Sequence, residues 1–184
     1  MKKLSILLFT TILTTTATAS WLGTDTKVGS IKLNAGQATF AEKTTPLILL
    51  DIGGNHYWNN GLLIGASFGL GYAENPTENI DNKSMLDLNG HFRVGYSFAE
   101  AGKGFGLFGI ADLTYLTYSR PNIINGQLDE KTTFAQGIGF GGGVEYVFDS
   151  PWVLTVTYTT KTMKPDTGES FDYNKALVGI GITW

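Results

Sequence analysis

After Ser20 the chain repeats one arrangement: a run of residues alternating in polarity, then a break. The clearest run is Leu86 to Phe98. Leu86, Leu88, Phe92, Val94, Tyr96 and Phe98 share one face, and Asp87, Asn89, His91, Arg93 and Ser97 the other. A period of two predicts a strand with one apolar and one polar side. Leu62–Tyr72, Phe134–Phe148, Trp152–Thr160 and the segment ending at Trp184 alternate in the same way. Three runs are softer. In Leu47–Tyr57, Leu49 and Leu50 blur the phase around Asp51 and Asn55. Phe105–Tyr118 is set by Asp112, whose carboxylate belongs on the polar side, so that Leu107, Leu113 and Tyr115 face out. The first, Ser20–Leu33, is weakest, with Asp25 and Lys27 assigned to its inner side. The total is eight strands.

The breaks alternate too. Short ones are expected near Trp58–Asn60, Ala99–Lys103 and Asp149–Pro151. Long polar ones are expected near Asn34–Pro46, Glu74–Lys83, Arg120–Lys131 and Met163–Asp172. Short turns at one end and long loops at the other suit a closed barrel in an outer membrane. The competing fold is a soluble barrel with its apolar face around a ligand. Against it, the polar face is crowded with glycine, 24 in all. Glycine packs nothing but fits where space is short, as in the lumen of eight strands. Aromatic residues also gather at the predicted rims. Tyr57, Trp58, Tyr96, Phe98, Tyr146, Phe148, Trp152 and Trp184 lie at one, and Tyr72, Tyr115, Tyr118 and Phe134 at the other.

Composition narrows the reading further. The chain has 184 residues, no cysteine and 16% charged residues. Met1–Ala19 reads as a cleaved signal peptide: Lys2 and Lys3, an apolar stretch, then Ala17-Thr18-Ala19 before a cut at Ser20. The domain expected to remain is 20–184. Losing two lysines leaves 11 basic against 16 acidic residues, net −5, which gives no electrostatic case for nucleic acid.

These features resemble the small eight-stranded outer-membrane β-barrel family that includes the OmpA transmembrane domain and OmpX. The most specific element is the last strand, Ala176-x-Val178-x-Ile180-x-Ile182-x-Trp184. An aromatic terminus with alternating apolar residues looks like the signal read by the barrel-assembly machinery, although Trp184 stands where most members have phenylalanine. The resemblance implies an all-β transmembrane up-and-down barrel in the bacterial outer membrane. It implies a monomer, in contact with outer-membrane lipid and lipopolysaccharide. No periplasmic domain is expected to follow, so wall anchoring is not implied.

Candidate chemistry is confined to the inner face. Asp25, Lys27, Asp51, Asp87, Arg93, Asp112, Glu145, Lys161 and Lys175, with His91, are expected to point inward. They read either as a buried ion-pair network that plugs the lumen or as the lining of a narrow pore. Arg93 with Glu145 or Asp112 is the expected pair. A lipid-modifying enzyme is the third reading. Neither His56 nor His91 has a serine spaced as in the deacylases of such barrels. Gly137-x-Gly139-x-x-Gly142 matches a dinucleotide fingerprint in letters alone, since no helix follows. No catalytic residue, cofactor or metal ligand is expected. The expected role is structural or surface-interactive, with ion or small-solute passage as the alternative.

Overall fold

The computed structural model describes residues 26–78, 80–81, 83–98, 103–124 and 127–184. The expected signal peptide, its cut before Ser20, Asp25 and the side chain of Lys27 lie outside the described residues. Eight antiparallel strands follow one another around a closed barrel: β1 Thr26–Phe40, β2 Lys43–Tyr57, β3 Leu62–Glu74, β4 Ser84–Ser97, β5 Gly104–Ile124, β6 Gln127–Val147, β7 Trp152–Pro165 and β8 Phe171–Thr183. Each strand pairs with its chain neighbours, and β1 closes on β8. Closure leaves no ladder edge in the wall, which a bilayer requires because nothing there would satisfy free amides.

The register fixes the barrel's shape. From Ser30 the row of opposed residues runs through Gly53, Ser67, His91, Asp112, Gly139, Lys161 and Tyr173, and returns to β1 at Phe40. The offset is 40 − 30, or ten residues. Eight strands with this stagger tilt by roughly 40° and enclose a space just wide enough for side chains.

The outer wall is apolar. Leu50, Ile52, Leu70, Leu88, Phe92, Val94, Leu113, Ile138, Phe140, Val178 and Ile180 are all exposed on it. A surface patch of that extent has no place in water and fits lipid. The inner face carries the glycines and charges. Gly139 sits between Asp112 and Lys161 in one row, and a Cβ there would come within 2.5 Å of the Lys161 Cβ.

Several expectations are corrected. The first strand is shifted: β1 runs on to Phe40, and its buried Ser30, Lys32 and Asn34 place the even positions inside, the reverse of the expected phase. The expected loop Asn34–Pro46 is mostly strand, and β1 and β2 are joined through Ala41 and Glu42 alone, both at positive φ. Such φ values are those of a tight hairpin turn, but without Asn-Gly the sequence carries no signature of it. Arg120–Lys131 is likewise strand at both ends, because β5 and β6 extend as a long hairpin. Beyond its neighbours a strand has no lipid and lumen to impose alternation, so its sequence reads as loop. The short connections at 58–61 and 148–151 fall where expected.

Candidate functional site

The lumen holds one continuous polar layer. Among the described residues, the buried charges are Lys32, Arg93, Lys161 and Lys175 against Asp51, Asp87, Asp112 and Glu145. Asp112 on β5 is its hub. Its Oδ2 lies 2.6 Å from the Lys161 Nζ, 3.2 Å from the Lys175 Nζ and 3.3 Å from the His91 Nε2. The Thr114 hydroxyl donates to the other Asp112 oxygen at 2.6 Å and accepts from Lys161 at 2.7 Å. Asp87 accepts from Tyr173 at 2.8 Å and from Asn89 at 2.7 Å, with Lys175 at 3.4 Å. Arg93 donates to Asp51 at 3.1 Å and to Ser67 at 3.2 Å. Lys32 stands opposite Asp51 in the register. Glu145 accepts from Tyr57 at 2.5 Å, and Asn55 donates to the Tyr57 oxygen at 2.8 Å. Removal from water costs each ion several kcal/mol, so partners on this scale are what make the layer tolerable.

Apolar clusters flank both ends of this layer. Where β1 starts and β8 ends, Tyr57, Leu63, Phe108 and Ile110 pack together, with Val28 against them. At the opposite end lies a larger cluster that includes Phe40, Leu47, Met85, Leu116, Tyr118, Met163 and Tyr173. The lids are tied to the charges they cover. The Arg93 guanidinium lies 5.3 Å from the Phe108 ring centre, and Lys161 and Lys175 lie 5.7 and 5.9 Å from that of Tyr173.

The structure places Asp51, Asp87, His91, Arg93, Asp112, Glu145, Lys161 and Lys175 together in the lumen. Arg93 pairs with Asp51, not with Glu145 or Asp112 as expected. The reason is the stagger: a partner across the barrel depends on the ten-residue offset, which strand parity does not reveal. Lys32, Tyr57 and Tyr173 are members that the sequence reading missed. For Lys32 a signal existed: Ser30, Lys32 and Asn34 alternate with Ile31, Leu33 and Ala35. Tyr57 and Tyr118 are corrected from rim to lumen, being 2% and 7% exposed.

The expected interface aromatics sit as follows. Tyr96, Tyr146, Trp152 and Trp184 are exposed on the wall at the end where β1 starts and β8 ends, with Phe98, Phe105 and Phe148 beside them. Trp58 lies in the turn there and packs edge-on against His56 at 4.2 Å. Tyr72 is exposed toward the far end, where Tyr115 stacks on Phe134 at 5.7 Å.

Beyond that far rim the β5–β6 hairpin continues past both neighbours. β4 pairs with β5 only as far as Tyr118, and β7 with β6 only as far as Ala135. Pro121 therefore removes no donor from a β4 ladder. A free two-stranded ribbon is marginal in water, and this one is braced. Asn75 donates to the Ser119 carbonyl at 2.6 Å, the Asp81 amide donates to Glu130, and Ile80 is buried. On the other side Arg120 donates to the Thr167 carbonyl at 2.7 Å.

A staggered eight-stranded barrel with a lipid-facing belt, two aromatic rims and a filled lumen defines a small transmembrane barrel of the outer-membrane type. The chain belongs to the outer membrane protein beta-barrel domain family, whose model matches residues 5–183. It is an outer-membrane barrel protein. No curated protein matches it in sequence. Solved structures share the fold. Neisserial surface protein A is 11% identical, with a TM-score of 0.54 over 85% of this chain and 96% of that one. Ail, the attachment invasion locus protein of Yersinia pestis, is 13% identical, with a TM-score of 0.55 over 87% and 99%. A major outer membrane protein of Thermus thermophilus is 12% identical, with a TM-score of 0.50 over 86% and 99%.

Proposed function

We propose that this barrel works through its outer surface: it reinforces the outer membrane and presents the braced β5–β6 hairpin and the 75–83 loop for contact outside the cell. The observation that carries this reading is the division of labour along the axis. Apolar clusters stand at both ends of the charged layer, while β5 and β6 continue past their last pairings with β4 and β7. A lumen filled by paired charges disfavours passage of ions or solutes, and His91 is taken up among the buried Asp51 and Asp112, which favours a structural reading over an enzymatic one. The chain is taken to act as a monomer, to contact outer-membrane lipid and lipopolysaccharide, and to be inserted by the barrel-assembly machinery through the Ala176–Trp184 strand. In this reading it reaches the envelope by the cleaved leader Met1–Ala19.

The test has two arms. Refolded protein in a planar lipid bilayer is expected to be electrically silent, and discrete, reproducible openings would favour the narrow pore instead. Cells carrying a variant with residues 121–130 replaced by Asn-Gly are expected to lose surface attachment while keeping the barrel in the membrane. Unchanged attachment would remove the hairpin from the role.

A further inference from the structure

The buried charges of the lumen fall into two groups, each neutral by itself. One holds Lys32, Arg93, Asp51 and Glu145, and the other holds Lys161, Lys175, Asp112 and Asp87. Within the first, Arg93 reaches Asp51, and Lys32 interacts with both Asp51 and Glu145. Within the second, Asp112 holds both lysines and Asp87 holds Lys175. Among the described residues, the close charge contacts between the groups run through His91. Its ring lies on β4 between them, with Nδ1 3.9 Å from the Asp51 Oδ2 and Nε2 3.3 Å from the Asp112 Oδ2.

Both oxygens that it faces already have cations. The Asp51 Oδ2 is the atom that Arg93 reaches at 3.1 Å, and the Asp112 Oδ2 is the atom shared by Lys161 and Lys175. A neutral imidazole carries one N–H. Placed on Nε2, that proton points to Asp112, and Nδ1 makes no claim on Asp51. An imidazolium carries two N–H groups and competes for both oxygens at once. It also adds a fifth cation to four anions. No further carboxylate stands beside the ring to receive it. β3 sets Ser67 opposite His91, Asp87 is held by Lys175 and Tyr173, and Glu145 by Tyr57. An uncompensated charge away from water is costly, so the layer must rearrange to accept it.

Arg93 is the cation with most to lose. Its carboxylate contact is with Asp51 alone, and its guanidinium lies against Phe108, part of the apolar cluster where β1 starts and β8 ends. Freeing Arg93 therefore loosens that cluster too. In this layer, His91 is the side chain whose ordinary titration falls between about pH 5 and 8.

We infer that His91 is an acid-operated release: once protonated, it displaces Arg93 from Asp51 and opens the lumen to ions. The inference goes beyond the surface role and rests on the filled lumen that supports it. The two fail separately. Openings at neutral pH count against the surface reading, and silence in acid counts against this one.

The experiment records the refolded protein in a planar lipid bilayer at about pH 7.5 and at about pH 5, either side of the histidine range. A gel shift on heating certifies each sample as folded. The open fraction is expected to rise about tenfold in acid, as the protonated fraction of an ordinary histidine does over that interval. His91→Gln offers Asp112 an amide donor and takes up no proton, so it should stay silent at both values. A second measurement needs no variant. In histidine-labelled barrel held in micelles, the His91 ring resonances should titrate with the same midpoint as the openings. Wild-type silence in acid, an open fraction equal at the two values, acid openings that persist in His91→Gln, or a ring that titrates apart from the openings each overturns the inference.

Discussion

Asp112 shows how much one side chain carries in a filled lumen. It faces three potential cations, and two of them, Lys161 and Lys175, are fully buried beside it. Asp112→Ala leaves both lysines short of their nearest anion. The expected loss is about 3–5 kcal/mol, the usual cost of breaking a buried ion pair from one side, read from urea unfolding of the barrel in lipid vesicles by tryptophan fluorescence. Arg93→Ala should be destabilising as well, since it strips Asp51 of its guanidinium and Phe108 of its stacked cation; an unfolding midpoint equal to wild type would mean that the Arg93–Asp51 pair matters little. At this scale the sequence is legible by parity. Asp51, Asp87, Arg93, Asp112, Glu145 and Lys175 are inward because their neighbours are apolar. Who pairs with whom is not legible, because it depends on the stagger of strands distant in the chain. Tyr57 and Tyr118 show the limit of composition: an aromatic near a rim has an outward and an inward option, and only the strand phase chooses.

At the scale of elements, transmembrane strands announce themselves and extramembrane ones do not. β4 reads directly because lipid and lumen impose opposite chemistries on its two sides. The upper parts of β5 and β6 pair with each other beyond the reach of β4 and β7, where no lipid imposes alternation, so their pairing is invisible in the sequence. Their independence from the belt makes a prediction. Replacing residues 121–130 by Asn-Gly should shift the thermal midpoint of the barrel little, because the removed pairs touch neither apolar cluster; loss of the folded gel species would show instead that the hairpin supports the wall. The 75–83 loop is held partly by Lys43, whose ammonium lies 2.6 Å from Glu78. That hydrogen bond keeps the Glu78 carboxyl below its ordinary range. A carboxyl with a depressed folded pKa contributes above its unfolded value and loses that contribution as pH falls through the folded one. Amide protection in the loop should therefore be flat from about pH 8 to 6 and drop only in acid. Lys43→Ala should lower that protection at neutral pH while leaving barrel unfolding unchanged, as hydrogen exchange would report.

The whole molecule is decided where its first and last strands meet. Gly29 and Trp184 exchange backbone hydrogen bonds at 3.0 and 3.1 Å, and the indole lies over Gly29, where a Cβ would come within 2.6 Å of the ring. Gly29→Val should push the ring off the seam and destabilise the closed barrel by about 1–3 kcal/mol, the common cost of overpacking; denaturant unfolding checks it. The number of strands, the closure and the lipid-facing side of every strand but β1 were readable from alternation along the chain. The ten-residue stagger was not, since it is a property of the ring of pairings and of no single strand. One consequence concerns electricity. Among the described residues, four basic and four acidic buried side chains cancel, so a potential across the membrane exerts no net pull on this group. An unbalanced charge would feel about 2.3 kcal/mol per 100 mV if moved across the full field. Asp112→Asn creates such an imbalance, with an excess positive charge, and its conductance should flicker at one polarity and not at the other. In the wild type the same layer should respond to neither polarity, because its described charges are matched in number as well as in position.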